Sequence, residues 1–254
     1  MRIENFLKKL FFKKELKELE KLKEENRQLK KENKKLKIIN SSKDELISAI
    51  SHEFKNPISI INGYIETILN TPLPIDLQQK FLTKIQKNTN RLSELIDRLY
   101  LLTKLENNKI KVKKTNFDIC TLSKEIIESF NSNRIKLKCN PKTVYADKEL
   151  IGIVIYNLIS NALKYSNDEI NVNIDEDFEV IDKGKGIDQK EIELIKQKFY
   201  RIAKNDWDNS LGLGLAIVEK ILKIHKTSLK IESQKGKGSR FYFSLTSLES
   251  KEPK

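Results

Sequence analysis

The chain of 254 residues holds only two histidines, and one of them stands where an imidazole could do chemistry. His52 falls midway between Ile50 and Phe54, two members of an apolar stripe (Ile47, Ile50, Phe54, Ile58, Ile61, Ile65, Ile68) that steps by three and four. At about 100° per residue His52 lies about 200° from each neighbour in the stripe, on the wet face of a helix. Glu53 is adjacent and Asn56 is one turn on. Pro57 interrupts the same helical pattern, where its ring clashes with the carbonyl of Glu53 at a cost of about 3 kcal/mol. A rule broken beside an outward-facing titratable ring marks a functional candidate, against the plainer reading of a helix that tolerates its proline. The other histidine, His225, reads as a surface residue near a helix end, where a cation complements the helix dipole.

A second set of residues has the types and spacing of an anion and nucleobase site. Asp182 offers a carboxylate that can accept a hydrogen bond from an exocyclic amine, the group that separates adenine from guanine. Gly184 and Gly186 would let backbone approach a ligand closely and leave the chain free to move as a lid. Asn157 and Asn161 are one helical turn apart and can face one pocket, Lys164 adds a point charge on the same face, and Tyr165 could cover a base. Gly212 and Gly214 open a helical run over 213–224, whose first N–H groups suit an anion. Each residue also has a bland account. Phe199, Leu213 and Leu215 could be core, Asn157 a buried amide serving backbone, Lys164 a solvated lysine and Tyr200 a packing residue.

The elements that must position these groups are legible from periodicity. Leu22, Leu29 and Leu36 recur every seven residues, with Leu19, Asn26, Asn33 and Asn40 three residues earlier in each repeat. Leucine at d and asparagine at a favour a parallel two-stranded coil of modest stability over residues 1–40. The coil runs on without Pro or Gly into the His52 stripe. Thr71-Pro72-Leu73-Pro74 ends that helix. A second stripe (Phe81, Ile85, Leu92, Leu95, Leu99, Leu102) then completes a helical hairpin over 41–106. Neither helix can bury its stripe alone, so two hairpins are expected to form a four-helix bundle. After a linker at 107–116, residues 117–247 alternate strand candidates (135–137, 170–174, 178–181, 228–232, 240–245) with helical runs (122–130, 148–164, 191–198, 213–224), an α/β sandwich. A polar tail covers 248–254.

Composition narrows the class. The chain carries 49 Lys+Arg against 36 Asp+Glu, a formal charge of +13, with 14 bases and 7 acids in residues 1–40. The bases are nearly all lysine, mixed with acids and without interleaved aromatics, which argues against a nucleic-acid partner. Phe6, Leu7, Leu10 and Phe11 among lysines could make a weak peripheral membrane anchor. No stretch reaches the ~18–20 apolar residues of a spanning helix, the first residues do not read as a secretory signal, and Cys120 and Cys139 fit neither a disulfide framework nor a zinc pattern. A soluble protein of a reducing, cytoplasmic compartment is expected.

The motifs have a familiar order. Ser51-His52-Glu53-Phe54-Lys55-Asn56-Pro57 resembles the H-box of the sensor histidine kinases of two-component signalling. The run from Asn157 to Ser166 resembles their N-box, Asp182-Lys183-Gly184-Lys185-Gly186-Ile187 the G1 box, Phe199-Tyr200-Arg201 the F-box, and Gly212-Leu213-Gly214-Leu215-Ala216-Ile217 the G2 box. The resemblance covers residues 41–247. It implies a dimerisation and phosphoacceptor hairpin followed by an ATP-binding domain of the Bergerat or GHKL fold. His52 would be phosphorylated with Glu53 steadying the ring, and Asn56 would place a water for dephosphorylating the partner. The resemblance further implies Asn161 as Mg²⁺ ligand and Arg201 as a cation on the γ-phosphate. Ile187, Phe199, Leu213 and Leu215 would line the ATP site. The partners would be a second copy of the chain and the receiver domain of a response regulator. Departures from the pattern are Ser210 where a glycine is common, and a short lid over 202–211 with Asp206, Trp207 and Asp208. An ATPase or serine kinase of the gyrase, Hsp90 and MutL group, and a scaffold with a dead nucleotide domain, are the alternatives.

Overall fold

A computed structural model describes the backbone of residues 2–107, 109–200, 202 and 212–248, and, within the first helix, the side chains of 22–33, 47, 48 and 50 onward. The chain divides into two units, 1–52 and 53–254. Helix α1 (Arg2–Asn70) is continuous through Pro57. In the first unit Leu22 and Leu29, at the repeating heptad position, stand 59% and 55% exposed. Leu19, Leu36, Asn40 and the apolar residues at 6–11 have side chains outside those described.

In the second unit the end of α1 turns through residues 71–74 into α2 (Ile75–Glu106), whose start is fixed by Leu77 and Gln78 N–H groups on the Pro74 carbonyl. The rings of Tyr64 and Phe81 meet at 4.9 Å between the two arms. Ile58 and Ile65 remain exposed, whereas Leu95, Leu102 and Leu105 are buried by the domain that follows.

That domain begins with β1 (Lys114–Asp118), α3 (Ile119–Ser129), β2 (Ile135–Cys139), β3 (Thr143–Asp147) and α4 (Lys148–Tyr165). β1 and β3 pair antiparallel as a two-stranded sheet, and each ends on an aspartate that caps the next helix. Asp118 accepts the N–H groups of Cys120 and Thr121, and Asp147 that of Leu150, satisfying donors that a helix start leaves orphaned. β4 (Ile170–Ile174), β5 (Asp177–Asp182), α5 (Gly214–Ile224), β6 (Lys230–Gln234) and β7 (Gly238–Ser244) complete the fold. The five-stranded sheet has the order β2-β4-β5-β7-β6, with only β2 and β4 parallel. Strand alternation puts Val172, Phe178, Val180 and Phe243 in the core, with no exposure. The opposite face carries Arg240, whose guanidinium bonds Glu179 and Glu232. α4 closes the core with Ile151, Val154, Ile155, Leu158 and Ile159, all fully buried. Each such side chain contributes about 1.5–3 kcal/mol relative to exposure.

Three expectations need correction. The run 191–198 is not an α-helix: a 3₁₀ turn (Gln189–Glu191) capped by Asp188 is followed only by turns. The run closes on Phe199 in the left-handed region (φ 63°), with its N–H bonded to the Gly212 carbonyl rather than back along a helix. Strands at 114–118 and 143–147 were not expected, and the first overlaps the stretch read as linker. His225 is 1% exposed rather than a surface residue. Its Nδ1 meets the Ile221 carbonyl at 2.8 Å, and its Nε2 accepts the Asp147 N–H at 3.1 Å.

Candidate active site

A cavity of about 480 Å³ opens in the second unit between β5, α4, the start of α5 and one face of α2. Asp182, the last residue of β5, is 5% exposed and borders it. Its Oδ1 accepts the Gly184 N–H at 2.8 Å. Burial raises the carboxyl above its ordinary range, and the backbone N–H groups of Gly184 and Ser239 pull it back down. The result is an acceptor held rigidly at the floor of the cavity.

α4 supplies one wall. Asn157, Asn161 and Lys164 line the cavity at helical spacing, as the sequence predicts. The Asn157 amide donates to the Ile153 carbonyl at 2.7 Å, so its role is partly the backbone-serving one. A Cβ on Gly214 would lie 2.9 Å from Asn157 Oδ1, so any larger residue there would have to displace the Asn157 amide. Arg134 closes the other end of α4. Its NH1 donates to the Ser166 carbonyl at 2.8 Å and its NH2 to that of Leu163 at 3.2 Å, carbonyls a helix end leaves unsatisfied. Beside that closure the Tyr165 ring lies against two cations, Lys185 Nζ at 4.6 Å and Lys164 Nζ at 5.0 Å from its centroid.

Gly212, Leu213, Gly214 and Leu215 form a further part of the wall. Among the described residues no side chain caps the start of α5, whose first N–H groups face the chemistry an anion would use. Gly186 and Ile187 border the cavity as expected, with Gly186 at φ 61°. The glycines of that loop meet protein, not open space for a ligand. A Cβ would come within 2.2 Å of the Tyr165 carbonyl at Gly184, and within 2.0 Å of the Gln234 carbonyl at Gly186. Gly184 and Phe199 are not in the wall; they act through the N–H groups given to Asp182 and to Gly212. Arg201 and the lid positions Asp206, Trp207, Asp208 and Ser210 lie outside the described residues.

Sequence reasoning missed the wall contributed by α2. Lys87, Arg91, Glu94, Leu95 and Arg98 line the cavity. The signal was present: Lys87, Arg91, Glu94 and Arg98 step by four, three and four, a single polar helix face. Arg91 NH2 donates to Glu53 Oε2 at 3.1 Å, and the two side chains are only 18% and 17% exposed. Ser160, Lys185, Ser239 and Phe241 were also missed. On α1, His52 and Asn56 are exposed. Among the described residues no cluster of three or more His, Cys, Asp or Glu side chains could hold a metal, and no helix is long and apolar enough to cross a membrane.

Comparison with known proteins finds two family matches along the chain. Residues 42–108 match the His Kinase A (phospho-acceptor) domain family, and residues 146–249 match the histidine kinase-, DNA gyrase B- and HSP90-like ATPase family. The adaptive-response sensory kinase SasA of Crocosphaera subtropica is 30% identical over 80% of this chain and 59% of its own length. The phosphate regulon sensor protein PhoR of Haemophilus influenzae is 28% identical over 80% and 51%. The sensor histidine kinase WalK of Bacillus subtilis is 28% identical over 84% and 38%. The chain thus spans about half the length of the curated relatives it matches. Among solved structures, the histidine kinase AdeS of Acinetobacter baumannii shares the fold at a TM-score of 0.58 and 23% identity, over 77% of this chain and 98% of that one. The histidine kinase ThkA, in complex with the response regulator protein TrrA, does so at 0.58 and 24%, over 80% and 62%. With a phosphoacceptor hairpin, an ATPase-type α/β domain and the motifs of both in order, the chain belongs to the sensor histidine kinases of two-component systems.

Proposed function

We propose that this chain is an ATP-dependent histidine autokinase. It phosphorylates His52 and passes the phosphoryl group to an aspartate of a response regulator, acting as a homodimer in the cytoplasm. The observation that carries the reading is the cavity, where a buried carboxylate at Asp182, the Asn157 and Asn161 face of α4 and the start of α5 converge. Asp182 accepts the exocyclic amine of adenine. Tyr165 lies along the base or ribose, while Lys164, Lys185 and the first N–H groups of α5 meet the phosphates. Gly186, Ile187, Gly212, Leu213, Gly214 and Leu215 shape the walls, Gly184 and Phe199 support them through their N–H groups, and Arg201 serves the γ-phosphate.

The site fits Mg²⁺ in the way nucleotide sites do. There is no acidic cage among the described residues, and Asn161 offers a neutral oxygen to an ion held mainly by phosphate and water. When bound, the ion would neutralise phosphate charge. The chain's own residues do the rest. The neutral His52 ring attacks the γ-phosphorus, the P–O bond to ADP breaks as the N–P bond forms, and Glu53 takes the hydrogen bond of the other ring nitrogen as it becomes cationic. Positioning and electrostatics supply most of the rate, as is general for phosphoryl transfer. The hinge for this meeting is the segment between α2 and β1. Asn56 positions water for the reverse duty of dephosphorylating the regulator. The ThkA structure with TrrA is a precedent for such a partner, and a ShkA structure in complex with AMPPNP for the nucleotide.

The test is the chemistry of the product. Incubation with γ-phosphate-labelled ATP and Mg²⁺ should label the protein with phosphate that is lost in acid and kept in base. Label with the opposite stability would identify a serine kinase instead, and turnover without label an ATPase.

A further inference from the structure

The wall formed by α2 is not explained by nucleotide binding alone. Arg91 belongs to two sets of residues at once. It borders the cavity that Lys164 and Asn161 also line, and its guanidinium holds Glu53, the residue next to the proposed phosphoacceptor His52. Lys87 and Arg98, one turn and two turns away on the same face, border the cavity as well. The bases on this face outnumber its one acid, Glu94. A polyphosphate entering the cavity therefore meets a cationic wall in which one cation is already engaged.

We propose that Arg91 is a positioning residue that couples nucleotide binding to Glu53. The carboxylate of Glu53 and the phosphates of the nucleotide draw on the same guanidinium. Each therefore weakens the hold of the other. Glu53 is tied to α2 at 3.1 Å and both groups are largely screened from water, where a charge-assisted bond is strong. With a nucleotide bound, phosphate oxygens compete for Arg91, and the Glu53 carboxylate is released to serve the His52 ring. Release of the acid then coincides with the presence of the phosphoryl donor. Coupling of this kind is reciprocal by thermodynamic necessity: if phosphate loosens Glu53, then removing the charge of Glu53 must tighten phosphate binding. This proposal rests on the nucleotide-site reading of the cavity, and it needs no change in the chemistry proposed for His52.

The experiment reads binding, not activity. The full chain is titrated with AMPPNP at fixed Mg²⁺ in four forms: wild type, Glu53→Gln, Arg91→Gln and the double variant. Glu53→Gln should bind AMPPNP at least about fivefold more tightly than wild type, the lower end of ordinary coupling between two sites. The gain should vanish when Arg91 is already Gln. An unchanged affinity in Glu53→Gln, or an equal gain with and without Arg91, overturns the proposal and leaves the nucleotide site intact. Failure of the wild type to bind AMPPNP removes the nucleotide-site reading itself and this proposal with it. Should Arg91→Gln lose its cooperative unfolding, Arg91→Met keeps the packed stem and takes its place in the cycle.

Discussion

His225 and Asp147 are joined by a hydrogen bond that fixes the charge state of the imidazole. The Asp147 N–H donates to Nε2 at 3.1 Å, so Nε2 is bare, and Nδ1 carries the ring proton to the Ile221 carbonyl at 2.8 Å. The bond ties the end of α5 to the start of α4, the two helices whose other ends border the cavity. Burial holds the ring below the ordinary histidine value; the Lys114 charge adds to this, while the Ile221 carbonyl and Asp147 oppose it.

A depressed histidine means the unfolded chain binds the proton first. The contribution of His225 is full above about pH 6.5 and is lost as pH falls below it. His225→Gln should cost about 1–3 kcal/mol at pH 7.5, the penalty of leaving buried partners unmade. Its stability should also fall less steeply than that of the wild type between pH 7 and 5. Urea unfolding across that range checks both, and parallel pH slopes would show that the ring does not titrate as described.

That residue also shows what was legible in the sequence. His225 lies four residues after Ile221 and seven after Val218, so the buried stripe of α5 pointed to it, but charge complementarity at a helix end suggested solvent. The core strands and α4 were readable because their alternation and 3.6-residue periods are strong. β1 and β3 were not, since Lys114-Thr115-Asn116-Phe117-Asp118 has little alternation and the pair is held by a long-range ladder and by Asp118 and Asp147, which accept the N–H groups of Lys142 and Lys113. In the site, motif residues were legible one by one, whereas the α2 face required knowing that a distant helix packs there.

Asp182 carries the base-recognition claim. Asp182→Asn reverses half of its hydrogen-bonding capacity and should weaken AMPPNP binding about ten- to hundredfold, the worth of a hydrogen bond to a charged group. Because burial raises this carboxyl, wild-type affinity should decline on acidification at a higher pH than an ordinary aspartate would allow. Calorimetric titration from pH 8 to pH 4 measures this; pH-independent binding would remove Asp182 from the contact.

The two cysteines should differ in reactivity. Burial, then the hydrogen bond and charge of Cys139, push the Cys120 thiol up to about 12, and its Sγ donates to the Asn140 carbonyl at 3.0 Å. An alkylating reagent at pH 8 should modify Cys139 and leave Cys120, since the thiolate is the reactive form. Peptide mapping that finds equal labelling would contradict the packing around α3.

The exposed stripe residues of the hairpin test assembly. Ile65 is 39% exposed on the apolar face of α1. Placing a charge there, as Ile65→Asp, should convert a dimer to a monomer in sedimentation at micromolar concentration while the α/β domain keeps its nucleotide affinity. A dimer that survives would locate the interface elsewhere.

A single ring nitrogen, on His52, is expected to carry the phosphoryl group. Wild-type and His52→Gln proteins are incubated with labelled ATP and Mg²⁺, and incorporated phosphate is counted after brief acid and base treatment. The expected result is acid-labile, base-stable label in the wild type and none in the variant, with AMPPNP binding equal in both. Equal label in the two proteins would contradict it.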